Sequence, residues 1–379
     1  MRNVFAEVTP LDKQAIKNYH LSEELMMEHA AIGMEKWIRD RFKLHSSIAI
    51  IAGPGNNGAD GIALARLLAK DYQLSLYLPQ GSRSSLNQIQ LDRFNLLNLP
   101  LLPFQNDYSY DLIVDALFGS GLNRSPDENI SALIDSLNAA KGYKLACDVP
   151  SGLFLSGQPH ATTFIADTTL TMGALKLNLF SDFAKDFTGV IETISLGIHR
   201  DYYETDSSWK VLESSDLVLP LRKKLSSNKG TYGHLAIVCG EKTGAAVIAG
   251  SAALRFGSGL VSLISNEEVM IPYELMQSHS LPNSTTAIAI GMGLGSEFGD
   301  NEILTIMNNE LPTILDADIF YHPLFLNLLK RQKIVITPHP KEFTQILHIT
   351  GIADIDTLSL QKERFKYVEL FCSTYPNVI

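Results

Sequence analysis

The chain has 379 residues, 45% of them hydrophobic and 19% charged, with a net charge of −10. That length exceeds one typical domain, and the apolar fraction can bury more than one core, so two or three α/β-sized domains are expected. The acidic balance excludes duplex nucleic acid and an anionic membrane surface as main partners, because both are held by clustered Lys and Arg.

Thr9-Pro10 before Asp12 predicts a helix start with Thr9 as N-cap. Met26, Ala30, Gly33 and Trp37 recur every three to four residues and predict an amphipathic helix over 22–42. "SIAIIAG" (47–53) then reads as a short strand ending in Gly, and "NGADGIALARLLAK" as a helix. "LSLYLP" (74–79), "YDLIVDALFG" (110–119), "KLACDVPSG" (144–152) and "DTTLTMG" (167–173) read as further strands. Helical segments alternate with them, which is the pattern of a parallel sheet covered on both faces, with function at its carboxyl ends. Residues 199–229 are polar and Ser-rich and read as a linker or domain edge. A second α/β series follows: "GHLAIVCG" (233–240), a helix over 244–256, "GLVSLIS", "TAIAIGMGLG" (286–295), "PTILDAD" (312–318) and "KIVITPHPKEF" (333–343). The two halves show no residue-level repeat. The boundary is placed at 210/211.

Cys147, Cys239 and Cys372 lie far apart in apolar segments without metal spacing. They read as buried structural thiols in a reducing cytoplasm. The most apolar stretch, 245–264, contains Arg255 among Gly and Ser and is not a membrane span.

"GPGNNGADG" (53–61) holds a G-x-G-x-x-G after a strand and before a helix, the arrangement of a dinucleotide loop. A tight strand-to-helix turn explains the glycines equally well. A redox fold would also need an acidic residue after the next strand, which instead ends "YLPQGS". Asn56, Asn57 and Asp60 add polar side chains that such a loop does not require. Asp115 in "DALFGSGL" and Asp148 in "DVPSGL" close two other predicted strands, so a parallel sheet would gather them into one crevice. Asn57, Asp115 and Ser151 then offer an amide, a carboxylate and a hydroxyl, a set suited to a hard cation, monovalent or divalent, rather than zinc. A single Asp at a strand end serves as an N-cap as often as a ligand. "GSGLNR" (119–124) adds a second Gly-rich loop with Arg124 fit for a phosphate.

"GPGNNGADG", "DALFGSGL", "DVPSGL" and "SLGI", in that order over about residues 1–200, resemble the NAD(P)H-hydrate epimerase family. "NKGTYGHLAIVCG", "GAAVIAGSAALRFGSGLVSL", "GMGLG", "LDAD" and "TPHPKEF" resemble its fusion partner, the ADP- or ATP-dependent NAD(P)H-hydrate dehydratase. The resemblance implies a Rossmann-like three-layer epimerase domain followed by an incomplete ribokinase-like α/β domain. It implies repair of hydrated NADH and NADPH: the first half interconverts R and S forms at the hydrated ring carbon, and the second removes water from the S form with ADP or ATP and magnesium.

Carried over residue by residue, Asn56, Asn57, Gly58, Ala59 and Asp60 bind the hydrate with Gly119, Ser120, Gly121, Leu122, Asn123, Arg124 and Ser125. Asn57, Asp115 and Ser151 hold potassium, and Asp148 contacts substrate and does the acid–base work. Ala59 stands where the family commonly has Gly, a minor departure. In the second half Ala246, Gly293 and His339 fall on substrate positions, although His339 between two prolines reads equally as a helix-start residue. Asp316 and Asp318 are caps or site residues. A homo-oligomeric cytoplasmic enzyme is expected. The chain ends at "YPNVI", ahead of the family's "KG" loop and "GTGD" motif, so little dehydratase activity is expected of it. A non-catalytic dinucleotide-binding or scaffold protein is the alternative. A small-molecule kinase is disfavoured by the same missing motif.

Overall fold

The computed structural model describes residues 1–99, 102, 109–121 and 126–379, which form two compact units, Met1–Leu217 and Val218–Ile379. The first begins with β1 (Arg2–Phe5), α1 (Thr9–Tyr19) and α2 (Glu23–Arg39). Then come β2 (Ser47–Ala52), α3 (Asn56–Leu68), β3 (Gln73–Tyr77), α4 (Ser85–Leu96), β4 (Leu112–Ala116) and α5 (Glu128–Ala139). β5 (Tyr143–Cys147), β6 (Thr168–Met172), β7 (Leu175–Lys176), β8 (Val190–Ile194) and β9 (Trp209–Val211) complete it.

Six strands form one sheet in the order β3-β2-β4-β5-β6-β8, every pair parallel. The two-residue period of a strand sends alternate side chains of β2 to opposite faces. Ile48, Ile50 and Ala52 join Met34, Trp37 and Ile62 in one core, while Ala49 and Ile51 join Ile113, Leu133 and Ile134 in another. The apolar runs are therefore continuous, and helices cover both faces in three layers. β2 pairs with β3 on one side and β4 on the other, so strand order reverses there. The crevice beyond the carboxyl ends of β2 and β4 is the switch point at which such sheets bind ligands.

A second, three-stranded sheet orders β7-β1-β9, with β1 parallel to β7 and antiparallel to β9. It was not evident from the sequence. Of the stretch 199–229 read as a linker or domain edge, residues 209–211 are not linker, since β9 pairs with β1 inside the first unit. The edge of that unit does fall in the stretch, at Leu217. Ser22 is the N-cap of α2, accepting from the Leu25 N–H, and the helix stops at Arg39. Thr9 is not an N-cap; Val8 holds that position, and Pro10 sits in the first turn, where a missing N–H costs nothing.

The second unit has its own all-parallel sheet, from β10 (His234–Val238), β11 (Leu260–Ile264), β12 (Met276–Ser278), β13 (Ala287–Ile290), β14 (Thr313–Leu315) and β15 (Ile334–Ile336). Their order is β12-β11-β10-β13-β14-β15. Ile237, Val261 and Ala289 face the helix Thr243–Phe256, and Ala236, Val238, Ile288 and Ile290 face the opposite core with Phe320 and Phe325. Cys147 and Cys239 are buried as expected, but Cys372 is exposed, because its helix Arg364–Thr374 buries only Phe371. Among the described residues no helix is long and apolar enough to cross a membrane.

Candidate active site

The glycine loop is built mainly for the chain's approach to itself. A Cβ on Gly53 would lie 2.0 Å from the Leu117 carbonyl oxygen, and one on Gly58 1.7 Å from the Gly53 carbonyl oxygen. These two positions let α3 start hard against β2 and β4. Only at Gly55, the N-cap of α3, would a Cβ meet nothing within 4 Å. One glycine of the three therefore has open space at its Cβ position, beside the first N–H groups of α3, which lack intrahelical acceptors. The buried Asn87 fixes the loop, donating through Nδ2 to the carbonyls of Gly53 and Gly55 at 2.9 Å each.

Asp148 follows β5 in a left-handed backbone conformation, φ 70°, which Asp tolerates better than most residues. Its Oδ1 accepts from Lys176 Nζ at 2.5 Å and from the Met172 N–H at 3.1 Å, and its Oδ2 from the Ser120 N–H at 3.2 Å. Lys176 is 2% exposed and Asp148 7%, so this ion pair is withdrawn from water; removing either partner would strand a charge at a cost of about 3–5 kcal/mol. Burial pushes the Asp148 carboxyl up, but the Lys176 ammonium and the two N–H donors outweigh it and hold the group below the ordinary carboxylate value.

Asp115, at the end of β4, is fully buried. It accepts from Ser151 Oγ at 2.7 Å, the Ser151 N–H at 2.8 Å and the Leu117 N–H at 3.1 Å. Burial pushes its carboxyl up to about 6 despite these donors. Ser151 Oγ also accepts from the Phe118 N–H at 3.0 Å. The next residue, Gly119, abuts Asn57: a Cβ there would lie 3.2 Å from both Asn57 Oδ1 and Asp148 Oδ2. Among the described residues, both polar atoms of the Asn57 amide are buried without a partner. The turn 117–119 thus brings Asn57, Asp115, Ser151 and Asp148 together, as the sequence suggested.

A cleft of about 350 Å³ opens over these groups. Asn56, Asn57 and Asp60 line it from the first turns of α3, Ser120 from the loop after β4, Asp148 from just past β5 and Lys176 from β7. Val8, Asp12 and Ile16 of α1 with Met26 of α2 supply an amphipathic wall. Asp60 is half-buried and, among the described residues, accepts no hydrogen bond; burial and the neighbouring Asp148 push its carboxyl well above the ordinary value. Asp12 accepts from the Tyr203 hydroxyl at 2.6 Å, and burial raises its carboxyl in spite of that bond. Gly58 and Ala59 are fully packed in α3, so only their backbone can serve a ligand. Gly121 is open, with no atom within 4 Å of a Cβ. Leu122, Asn123, Arg124 and Ser125 lie outside the described residues.

In the second unit Gly293 (φ 71°) packs on Lys242, whose N–H reaches the Gly293 carbonyl at 3.0 Å. Ala246 is wholly buried in the core against β10 and β11, so only its backbone could serve a ligand. His339 is the N-cap of the helix Pro340–Ile349, two strands beyond β13: its Nδ1 accepts from the Glu342 N–H at 3.3 Å and Nε2 meets Glu342 at 3.0 Å. Asp318 accepts from the Gly295 N–H at 3.0 Å and Asp316 from the Thr337 hydroxyl at 2.9 Å, so both brace loops at strand ends.

Residue reasoning missed Lys176, Asn87 and the wall of α1. Lys176 carried a usable signal: it interrupts "GALKLNLF", and a cation in so apolar a run must find a buried partner.

Two family models match the chain, "YjeF-related protein N-terminus" over residues 23–178 and "NAD(P)H-hydrate dehydratase" over residues 235–379. The bifunctional NAD(P)H-hydrate repair enzyme Nnr of Helicobacter pylori is 34% identical across 100% of this chain and 82% of its own length. That of Coxiella burnetii is 30% identical across 98% and 80%, and that of Escherichia coli 33% identical across 81% and 64%. With its two α/β units, the switch-point cleft and these likenesses across both units, the chain belongs to the family of bifunctional NAD(P)H-hydrate repair enzymes.

Proposed function

We propose that the cleft of the first unit binds hydrated NADH or NADPH and epimerises the hydroxyl-bearing ring carbon, with Asp148 as the base. One observation carries the reading: Oδ2 of an ionised, buried Asp148 and the unpartnered amide of Asn57 converge on Gly119 in a cleft at the switch point. Inversion at that carbon requires a bond to open and close again, so a proton must be taken and another given. Asp148, held ionised, is the acceptor. Asp60, whose carboxyl burial and Asp148 push well above the ordinary value, is the donor; two carboxyls whose surroundings push them apart divide such work. The free N–H groups at the start of α3, with the segment Gly119–Ser125, suit the dinucleotide's phosphates.

The pH dependence follows from these directions. Activity needs Asp148 ionised and Asp60 protonated. It falls on the acid side only below the ordinary carboxylate value, and on the alkaline side as pH rises through the raised value of Asp60. Asp60→Asn should lower kcat by about 100-fold and remove the alkaline limb. Chromatographic separation of R and S forms across a pH series checks this; an unchanged limb would reassign the acid.

Potassium fits the neighbouring oxygens. Among the described residues Asn57 Oδ1 accepts no hydrogen bond, Asp115 Oδ2 accepts one and Ser151 Oγ accepts one, so each keeps a lone pair for a hard cation. When bound, the ion supplies a positive charge that offsets the cost of an ionised, buried Asp115. Potassium at about 100 times its dissociation constant should stabilise the first unit by about 2.7 kcal/mol over choline at equal ionic strength. The thermal transition reads this, and Asp115→Asn should abolish the difference. A shift that persists in that variant would place the ion elsewhere.

The second unit is read as the family's dehydratase segment, taking ADP or ATP with magnesium to remove water from the S form near Ala246, Gly293 and His339. Nucleotide-dependent loss of the S form reads the level of that activity directly. The same reading makes the protein a cytoplasmic homo-oligomer whose partners are small molecules. The non-catalytic alternative is disfavoured by the family relationship.

A further inference from the structure

We propose that Lys176 is a positioning residue of the epimerase reaction: it saturates one oxygen of Asp148 and thereby aims the other at the substrate. The inference rests on the epimerase reading above. An ammonium has three N–H donors, and all three are spent inside the protein: on Asp148 Oδ1 at 2.5 Å, Thr171 Oγ1 at 2.9 Å and the Met172 carbonyl at 3.1 Å. Lys176 therefore has no donor left for a phosphate or a ring hydroxyl, although it lines the cleft. Its effect passes through Asp148. With Lys176 and the Met172 N–H both on Oδ1, the carboxylate cannot rotate, and Oδ2 keeps one lone pair beyond its bond from Ser120.

The fold spends an element on this placement. Lys176 lies on the two-residue β7, opposite Phe5 of β1, so the N-terminal strand sets where the ammonium stands. Thr171 and Met172, its other acceptors, end β6, the neighbour of β5 that leads into Asp148. Three strands thus converge on one charge pair. An arginine at this position keeps the charge but replaces a compact cation by a planar fork, so it should hold Asp148 ionised with less exact aim.

The test uses the full chain with Lys176→Met and Lys176→Arg. Interconversion of R and S hydrate should lose about 100-fold in kcat for K176M, with KM changed less than about threefold because no substrate contact is lost. K176R should recover at least about tenfold of that loss. The acid limb of the K176M profile should move up in pH. Besides Lys176, the titratable groups around Asp148 among the described residues are Asp12, Lys13, Glu23 and Asp60 in the cleft, Asp115 at the end of β4, Cys147 just before Asp148 and Tyr203 beside Gly173; all are unchanged in the variant. Wild-type kcat in K176M, a loss confined to KM, or an unmoved acid limb would each overturn the proposal. Thermal unfolding checks that the variant is folded; if K176M is not, Lys176→Gln, which keeps a donor for Oδ1 without the charge, is read by the same criteria. If the wild type itself does not interconvert the epimers, the epimerase reading fails. The role of Lys176 is then decided by carbon NMR of the Asp148 carboxyl, and equal titration in wild type and K176M would end it.

Discussion

Asp148→Asn should lower the rate of epimer interconversion by at least about 10³-fold. An amide cannot accept a proton at any accessible pH, so the base is gone while the volume is kept. The hydrogen bonds also fail on one side. If the amide oxygen stays with Lys176 and the Met172 N–H, the amide nitrogen faces the Ser120 N–H, donor against donor. Turned over, it faces the Lys176 ammonium instead. Either way Lys176, 2% exposed, loses its counter-charge, and breaking such a pair costs about 3–5 kcal/mol. The assay must therefore be run with thermal unfolding alongside. The reading predicts a folded variant, destabilised and inactive; retention of more than a tenth of wild-type turnover would remove Asp148 from the chemistry. The stability term has its own sign. Because the folded-state carboxyl sits below its unfolded value, the pair contributes fully above the ordinary carboxylate range and is lost as pH falls through the lowered value.

Gly58→Ala should be the most damaging single-methyl change in the first unit. Its Cβ would stand 1.7 Å from the Gly53 carbonyl oxygen and 2.7 Å from the Gly53 nitrogen. Both are backbone atoms of the turn that joins β2 to α3, so no side-chain rotation relieves the contact. α3 must move off β2, where Ile62 and Leu64 are fully buried. A loss of about 3 kcal/mol or more is expected, which lowers the transition of a unit this size by about 6–12 °C. Gly55→Ala is the control. Among the described residues a methyl there meets nothing within 4 Å, so stability should change by less than about 1 kcal/mol; on the proposed reading, with phosphates at the start of α3, affinity for the hydrate should fall. Thermal denaturation and hydrate binding on the two variants separate the roles. Equal stability losses would show that the loop's glycines are interchangeable.

This distinction was not available from the spacing. G-x-G-x-x-G announces a strand, a turn and a helix start, and all three are present. Which glycine serves the protein's own packing depends on where Leu117 and Gly53 lie in space, and Leu117 follows β4, far along the chain from Gly53. Asp115, Asp148 and Ser151 were legible because each ends an apolar run, and parallel strands deliver such ends to one edge. Asn57 was legible as polar where only small residues are needed. Its buried, unpartnered state was not, because that is set by the approach of Gly119.

Other readings went wrong where a distant partner decides. Residues 209–211 look like linker until β9 pairs with β1, some 200 residues away. Cys372 sits in apolar sequence, yet its helix turns it outward. Lys176 was passed over because nothing adjacent to it in sequence names its partner.

By itself the sequence determined what local periodicity and short motifs carry: two parallel α/β units, the strand ends that meet at a switch point, and the oxygen-rich residues placed there. These depend on spacing within a few residues, which a single chain displays openly. Only the tertiary structure decided that Lys176 meets Asp148, that α1 walls the cleft, and that of Gly53, Gly55 and Gly58 only Gly55 leaves room for a Cβ. Those facts rest on register between strands far apart in the chain. Backbone hydrogen bonds and close packing set that register, and no local pattern encodes it.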